Sequence, residues 1–498
     1  MLPRFRYLAR IPRAGASRVR HNRRNRRNKG GDVPHRRDIA VIFGGPSRQV
    51  HCKAFLLTVG ATGAATLAGL GLLGHMGSRP ALWAVSLPYA PFGVSLDTQA
   101  GRVFIFGATL PAGVGRVDVY DLRTGTLIRT LSPFSPNVEV TVVASLRRAV
   151  VTDNSGLVTT LDSGSGRVLG TTVAGGDPTF VDADAQTGRM ALTNPNRDSI
   201  DVVDARTGRL VQSVYLSPFA EPRDVRVDWR AGRAFSMNVG AHTVSVIDVG
   251  RGRVLRTVPA TFYPSVAVDG RHGRAFVTTS RGVLMLDAAS GKTLRTIPIH
   301  ADPQYGATVT VDERSGRAFA GDGRAVYAVD TRTGALLWTG PRHAGVVGID
   351  ERDNSIYVRG DDGRLSALDG RTGAFIWTLA GGHAADAVVF DPARGHVLVA
   401  SSGAVDATGI ATGTAMVDLF DVHSGGMRWS RPVGVGQVSL TVDEQAGYAI
   451  VVTGGGTLKG ADPLRWLPSW ARRFPFIPPP RPTTRTLPAR MIALDVSH

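Results

Sequence analysis

The chain has 498 residues, 43% of them apolar, with 60 glycines, few aromatics and a formal net charge of +18. That composition belongs to a globular protein with a sizeable core, built as two or three ordinary domains or as one large repeat domain. The single cysteine, Cys52, excludes an internal disulfide framework and any cysteine-based zinc cluster.

The charge is uneven along the chain. Residues 1–53 hold fifteen Lys and Arg against Asp32 and Asp38, and they include the run RHNRRNRRNK at 20–29. A run with so little to bury is expected to be a disordered tail. It is read as a charge block that fixes topology, and nucleic acid is not an expected partner. Residues 54–74, AFLLTVGATGAATLAGLGLLG, carry no charge. Twenty-one such residues as a helix would cross a hydrocarbon layer of about 30 Å. No small-x-small cleavage site follows, so a transmembrane signal anchor is expected over a cleaved signal peptide. The basic flank predicts a cytoplasmic N-terminus, a single pass through the cell membrane and a body outside the cytoplasm.

From residue 80 to 498 two turn patterns alternate. One follows a short apolar strand as D-x-x-x-G, for example Asp248 with Gly252 and Asp330 with Gly334. The other precedes a G-R-A-F-like strand, as Asp269 with Gly273 and Asp312 with Gly316. In each, the aspartate accepts hydrogen bonds from the turn's own N–H groups and the glycine supplies a positive φ. At Asp350 the partner is Asn354, the next-best residue for a left-handed position. Short alternating strands such as VSVID (244–248) lie between the turns, four to a unit, with a spacing of about forty residues. This predicts an all-β fold, a β-propeller of about nine four-stranded blades, with eight as the alternative. The last unit ends at RMIALDV (490–496) without a fourth strand, and the strand in ALWAVSLPYAPFGVSLD (81–97) is expected to complete it and close the ring.

The repeats DGRHGRAFVTT (269–279) and VSVIDVGRGRVLRTV (244–258) resemble the YVTN-type β-propeller family. Units six to eight, with ALLWTG (335–340), AFIWTL (374–379) and GMRWSR (425–430), are similar to quinoprotein-type repeats, where Trp338, Trp377 and Trp429 match blade-locking tryptophans. The resemblance implies a fold and an extracytoplasmic setting rather than a reaction. The adjacent cysteine pair of quinone-dependent dehydrogenases is absent, so no such cofactor is expected.

No H-E-x-x-H, G-x-S-x-G or P-loop occurs, and GLGLLG (69–74) lies inside the apolar segment. Three histidines, His300, His343 and His383, occupy equivalent fourth-to-first-strand loops, accompanied by Asp302 and Asp386. Imidazoles with carboxylates are ligands for a divalent transition metal, and a metal-assisted hydrolase or oxidoreductase is the alternative function. Equivalent loops elsewhere carry Tyr89, Phe92, Phe134, Phe219, Phe262 and Tyr263 beside prolines, as an aromatic rim or as packing between blades. The longest insertion, 454–490, places Trp466, Trp470 and Phe474 at i, i+4 and i+8 of a helix predicted to start at Asp462 and Pro463, with Arg472 and Arg473 beside them. These five are expected to contact a protein or envelope polymer. The D-x-x-x-G face, rich in arginines such as Arg102, Arg206, Arg233 and Arg371, is expected to face the bilayer and meet anionic lipid. The expected function is a membrane-anchored, non-catalytic binding or scaffold module.

Overall fold

The computed structural model describes residues 81–109, 113–174, 181–184, 186–261, 263–299, 307–321, 324–340, 345–360, 364–379, 386–391, 393–402, 413–459 and 484–496. The turns form as the aspartate–glycine chemistry requires. At Asp330 one carboxylate oxygen accepts the N–H groups of Arg332 (3.1 Å) and Thr333 (2.7 Å) and the Thr333 hydroxyl (2.7 Å). Gly334 then closes the turn at φ +69°, donating its N–H to Asp330 O at 2.8 Å. Asn354 takes the same left-handed backbone at φ +54°.

The hairpins assemble into nine four-stranded antiparallel sheets among the described residues. In chain order we number them blade 1 (90–134), blade 2 (139–173), blade 3 (181–215), blade 4 (222–259), blade 5 (266–297), blade 6 (308–339), blade 7 (345–378), blade 8 (387–434) and blade 9 (438–495). Strands A to D run from the inner to the outer edge of each blade. In blade 9 the outer strand is Trp83–Leu87, which pairs with Ala489–Asp495 in the register Trp83↔Ala493 to Leu87↔Ala489. The core lies between blades rather than within them. Phe104, Val117 and Val119 of blade 1 pack on Val140, Ala149 and Val151 of blade 2, and Leu96 and Val103 of blade 1 pack on Met491 and Ala493 of blade 9.

Six of the seams have a hydrogen-bonded lock on the outer strand. The D-strand residue opposite the same C-strand position covers the C–D turn glycine of the next blade. Trp83, Trp338 and Trp377 donate their indole N–H to Leu122 O (3.1 Å), Gly370 O (3.2 Å) and Val422 O (2.7 Å). Arg129 and Arg295 do the same to Ser165 O (3.2 Å) and Thr333 O (3.1 Å), and Gln212 to Val249 O. Trp338 and Trp377 are thus blade locks. Trp429 stands in the same register, opposite Leu419, with the Arg431 guanidinium 4.6 Å from its ring centroid.

Two expectations are corrected. No sheet closes on itself: the nine sheets stay separate, each with two edges, and the two ends of the described chain meet as neighbouring strands inside blade 9. Nor is a membrane-spanning helix found. Among the described residues the helical elements are two three-residue 3₁₀ turns, Ala144–Leu146 and Pro195–Arg197, and no helix is long and apolar enough to cross a membrane. The segment 54–74, on which the signal anchor, the single-pass location with a cytoplasmic N-terminus and the membrane partner rested, lies outside the described residues, as does the tail 1–53. The anionic-lipid role of the arginine-rich turn face loses its basis with them. Arg102 and Arg233 instead pair with Asp121 (3.0 Å) and Asp248 (3.4 Å) of their own blades.

Candidate functional site

The D-to-A and B-to-C loops share one face of the ring, opposite the D-x-x-x-G turns. The aromatic residues that the sequence places there separate into two kinds. Tyr89 is buried and donates its hydroxyl to Ile105 O at 3.4 Å. Burial first, then the charge of Asp118, pushes that hydroxyl's pKa well upward. Asp118, itself fully buried, accepts Arg116 Nε–H at 2.9 Å and the Thr130 hydroxyl at 2.6 Å, and Arg116 lies 5.2 Å from the Tyr89 ring centroid. Phe92 and Phe134 pack against the core shared by blades 1 and 2. These three hold blades together.

Phe219 is different. It sits in the loop between Arg209–Tyr215 of blade 3 and Pro222–Asp228 of blade 4, with 81% of its surface exposed. The B-to-C loop of blade 3 grips this loop. After the 3₁₀ turn Pro195–Arg197, Asp198 adopts φ +49°, and its two carboxylate oxygens accept the N–H groups of Phe219 and Glu221, both at 2.8 Å. Leu216 N–H donates to Asp198 O at 2.7 Å. On the other side, Val239 and Gly240 of blade 4 donate to Glu221 O (3.2 Å) and Ala220 O (3.1 Å). Gly240 is required there, since a Cβ would stand 2.5 Å from Phe219 O. Held from both sides, Phe219 and Glu221 take φ +61° and +46°. Such a backbone costs about 1–3 kcal/mol per residue and persists only where its surroundings over-determine it. An exposed phenyl ring on a rigid, strained loop is the result.

Two more aromatics are exposed on neighbouring segments of the chain. Tyr215 is 59% exposed, and its hydroxyl accepts Arg197 Nη2–H at 2.8 Å while that guanidinium lies 5.8 Å from the ring centroid. Tyr263, on the next D-to-A loop, is 53% exposed. Of these rings, Phe219 is the one whose backbone is shown to be held in place before anything binds.

Of the proposed metal set, Asp386 is described. It is exposed, and its carboxylate accepts the Ser402 N–H at 2.6 Å. His300, His343, His383 and Asp302 lie outside the described residues, as do Phe262, Trp466, Trp470, Phe474, Arg472 and Arg473. Among the described residues no group of three or more His, Cys, Asp or Glu is arranged to hold a metal ion. The base of the 454–490 insertion is a two-stranded ribbon, Gly456–Lys459 against Thr484–Leu487. Sequence reasoning passed over Asp198, whose turn residues N-R-D lie twenty-one positions before the phenylalanine they hold.

A family model described as "Outer membrane protein assembly factor BamB", of the PQQ_2 type, matches residues 279–456, less than half of the chain. That stretch contains Trp338, Trp377 and Trp429. The protein is a β-propeller, and its residues 279–456 are similar to PQQ-type repeats. No curated protein matches the sequence. Among solved structures it is similar to the computationally designed Ika8 protein, at 15% identity and a TM-score of 0.49 over 74% of this chain and 95% of that one. It is also similar to BamB from Moraxella catarrhalis, at 15% identity and a TM-score of 0.46 over 64% of this chain and 93% of that one.

Proposed function

We propose that this propeller, its repeats of the YVTN type, is a non-catalytic binding module that docks a partner protein on its D-to-A loop face, with Phe219 as the anchor. The observation that carries the reading is the exposed Phe219 ring on a left-handed backbone clamped by the two oxygens of Asp198. Interfaces draw most of their energy from a few aromatic or arginine side chains seated in pockets of the partner. A ring fixed before binding loses little entropy on docking, so the strain stored in this loop is offset at the interface. Tyr215 and Tyr263 are further exposed rings, and Arg197 supplies a charge held by the Tyr215 hydroxyl.

The test is site-directed photocrosslinking in cells that express the full chain. Benzoylphenylalanine replaces Phe219 in one chain and, as a control, the exposed Val173 on the outer strand of blade 2 in another. A protein captured at 219 and absent at 173 is then purified, and its affinity is measured directly. Phe219→Ala is expected to weaken it by at least about tenfold. Asp198→Ala, which frees the loop and keeps the ring, is expected to weaken it less. Identical capture at both positions, or unchanged affinity in Phe219→Ala, overturns the proposal.

A further inference from the structure

The seam between blades 2 and 3 is built unlike its neighbours. At the lock position, opposite Thr160, stands Gly170. With no side chain to interpose, the backbones close in, and a Cβ on Gly170 would stand 2.6 Å from Thr207 O of blade 3. A second type of seam bond changes as well. Arg102 and Arg233, which begin the B strands of blades 1 and 4, donate Nε–H to Gly164 O and Ala289 O of the following blade, each at 2.7 Å. Their counterpart in blade 2, Arg148, like Arg274 and Arg317 in blades 5 and 6, has a buried Nε with no hydrogen-bond partner among the described residues. The turn residue it would reach is Arg206, where the other two seams have glycine or alanine. Beneath them Thr160 is fully buried with an unpartnered hydroxyl, at a position held by valine in blades 1, 3 and 4.

What the altered seam leaves is a cleft of about 750 Å³ at the outer rim, lined by Arg148, residues 169–172 and residues 206–210. Arg148, Arg206 and Arg209 border it together with Thr171, Thr172 and Thr207, and no carboxylate does. The nearby acids are engaged. Asp162 lies 3.8 Å from Arg148 Nη1 and accepts the Ser165 hydroxyl at 2.7 Å, while Asp204 accepts the N–H groups of Arg206 (2.8 Å) and Thr207 (3.0 Å). Arg206 also donates to Thr187 O (2.6 Å) and Gln186 O (3.5 Å), which steadies its guanidinium and uses two of its five N–H donors.

We infer that this cleft binds a small organic oxyanion, one carrying a phosphate or carboxylate group. Guanidinium forks match both groups in two-point geometry, hydroxyls add donors of the same polarity, and a cleft lined by one sign of charge focuses its potential on an incoming anion. The cleft is open to solvent, and an organic body carrying that charged group would rest on the apolar part of its lining. Leu169 and Leu210 at the margin would meet that body. The site lies on the turn side of the ring and is independent of the Phe219 face.

Isothermal titration calorimetry on the full chain tests this, with pyrophosphate and citrate as the probes. One-to-one binding of at least one probe is expected, and the tighter of the two assigns phosphate or carboxylate. Arg148→Gln/Arg206→Gln is expected to weaken that binding at least about tenfold. Arg253→Gln/Arg371→Gln, which removes the same charge from the turns of blades 4 and 7, is expected to leave it within about twofold. Should the first pair fail to fold, the exposed Arg209→Gln decides, with roughly threefold weakening expected. Absence of saturable binding of both probes at millimolar concentration, equal losses in the two pairs, or full affinity in the cleft variants overturns the inference.

Discussion

In the turns at Asp121, Asp330, Asp369 and Asp421 one carboxylate oxygen replaces solvent for three donors, so the turn's order depends on that carboxylate staying ionised. At Asp162 the Ser165 hydroxyl, and at Asp287 the Ser290 hydroxyl, hold the acid below the usual carboxylate range against the upward push of burial. The Arg251 N–H does so at Asp248, and the Arg428 guanidinium, 2.6 Å away, does so most strongly at Asp421. A folded pKa below the unfolded one, near 3.9, contributes stability that is complete above that value and is lost as pH falls through the folded pKa. Two residues oppose this. Burial first, then Asp312 beside Glu351 and Asp391 beside Glu444, raises those carboxyls, and protonating them on acidification relieves their cost. The lowered turn aspartates outnumber them. His396, whose pKa burial first and then the charge of Arg428 push down, costs stability as pH falls through the unfolded value near 6.5. The melting temperature is therefore expected to decline slightly between about pH 7 and 5 and to drop more steeply below about pH 4, with a shallower drop in Asp287→Asn. Calorimetry across that range checks it, and a melting temperature at pH 3 equal to that at pH 7 would show that the turn carboxylates do not carry folding energy.

The blade is the element whose joints decide stability, and its lock position allows a comparison within one chain. Trp377 is 8% exposed, covers Gly425 of blade 8, donates to Val422 O at 2.7 Å and packs 6.0 Å from the Tyr357 ring centroid. Trp429 holds the same register but faces blade 9, whose C strand ends at Asp495 and whose D strand arrives from the N-terminal side, so no C–D turn lies opposite it. Trp377→Ala is expected to cost about 3–5 kcal/mol and Trp429→Ala about 1–2 kcal/mol, read from urea midpoints. Equal losses would mean that ring burial alone, rather than the turn it covers, sets the value. The three tryptophans of blades 6 to 8 were legible through their likeness to quinoprotein-type repeats, since the strands LLWT (336–339) and FIWT (375–378) do not by themselves mark the ring as a lock. Arg129, Gln212 and Arg295 do the same work and were not legible, since an arginine on an outer strand looks like solvated surface. The turns were legible for a related reason: aspartate capping and left-handed glycine act over five consecutive residues, and even Asn354 followed. Phe219 was not separable from Phe134, because SPFAEP and SPFSPN read alike. Asp198, contributed by a different loop, makes one an exposed anchor while the other is packed.

At the largest scale, the nine four-stranded sheets share no hydrogen-bonded ladder among the described residues, so side chains must hold the blades together, by packing and by their hydrogen bonds across the seams. The seam between blades 9 and 1 depends on one five-residue strand. Trp83–Leu87 supplies the outer ladder of blade 9, and Leu82 N–H extends it to Ala493 O at 2.9 Å. The same strand carries Trp83, which covers Gly125 of blade 1 and donates to Leu122 O. Removing it strips both contacts together: Ala489–Asp495 becomes an unpaired edge, and the blade 1 turn loses its cover. A chain beginning at residue 89 is expected to melt lower than one beginning at residue 80 and to associate through the new edge. Trp83→Ala in the longer chain, which keeps the ladder and loses the lock, should fall between them. A synthetic peptide of residues 80–89, added to the shorter chain, should recover part of the difference. Thermal melting with light scattering reads all four, and coincident transitions for the two chains would mean that blades 9 and 1 are held by the packing of Leu96 and Val103 on Met491 and Ala493 without the strand.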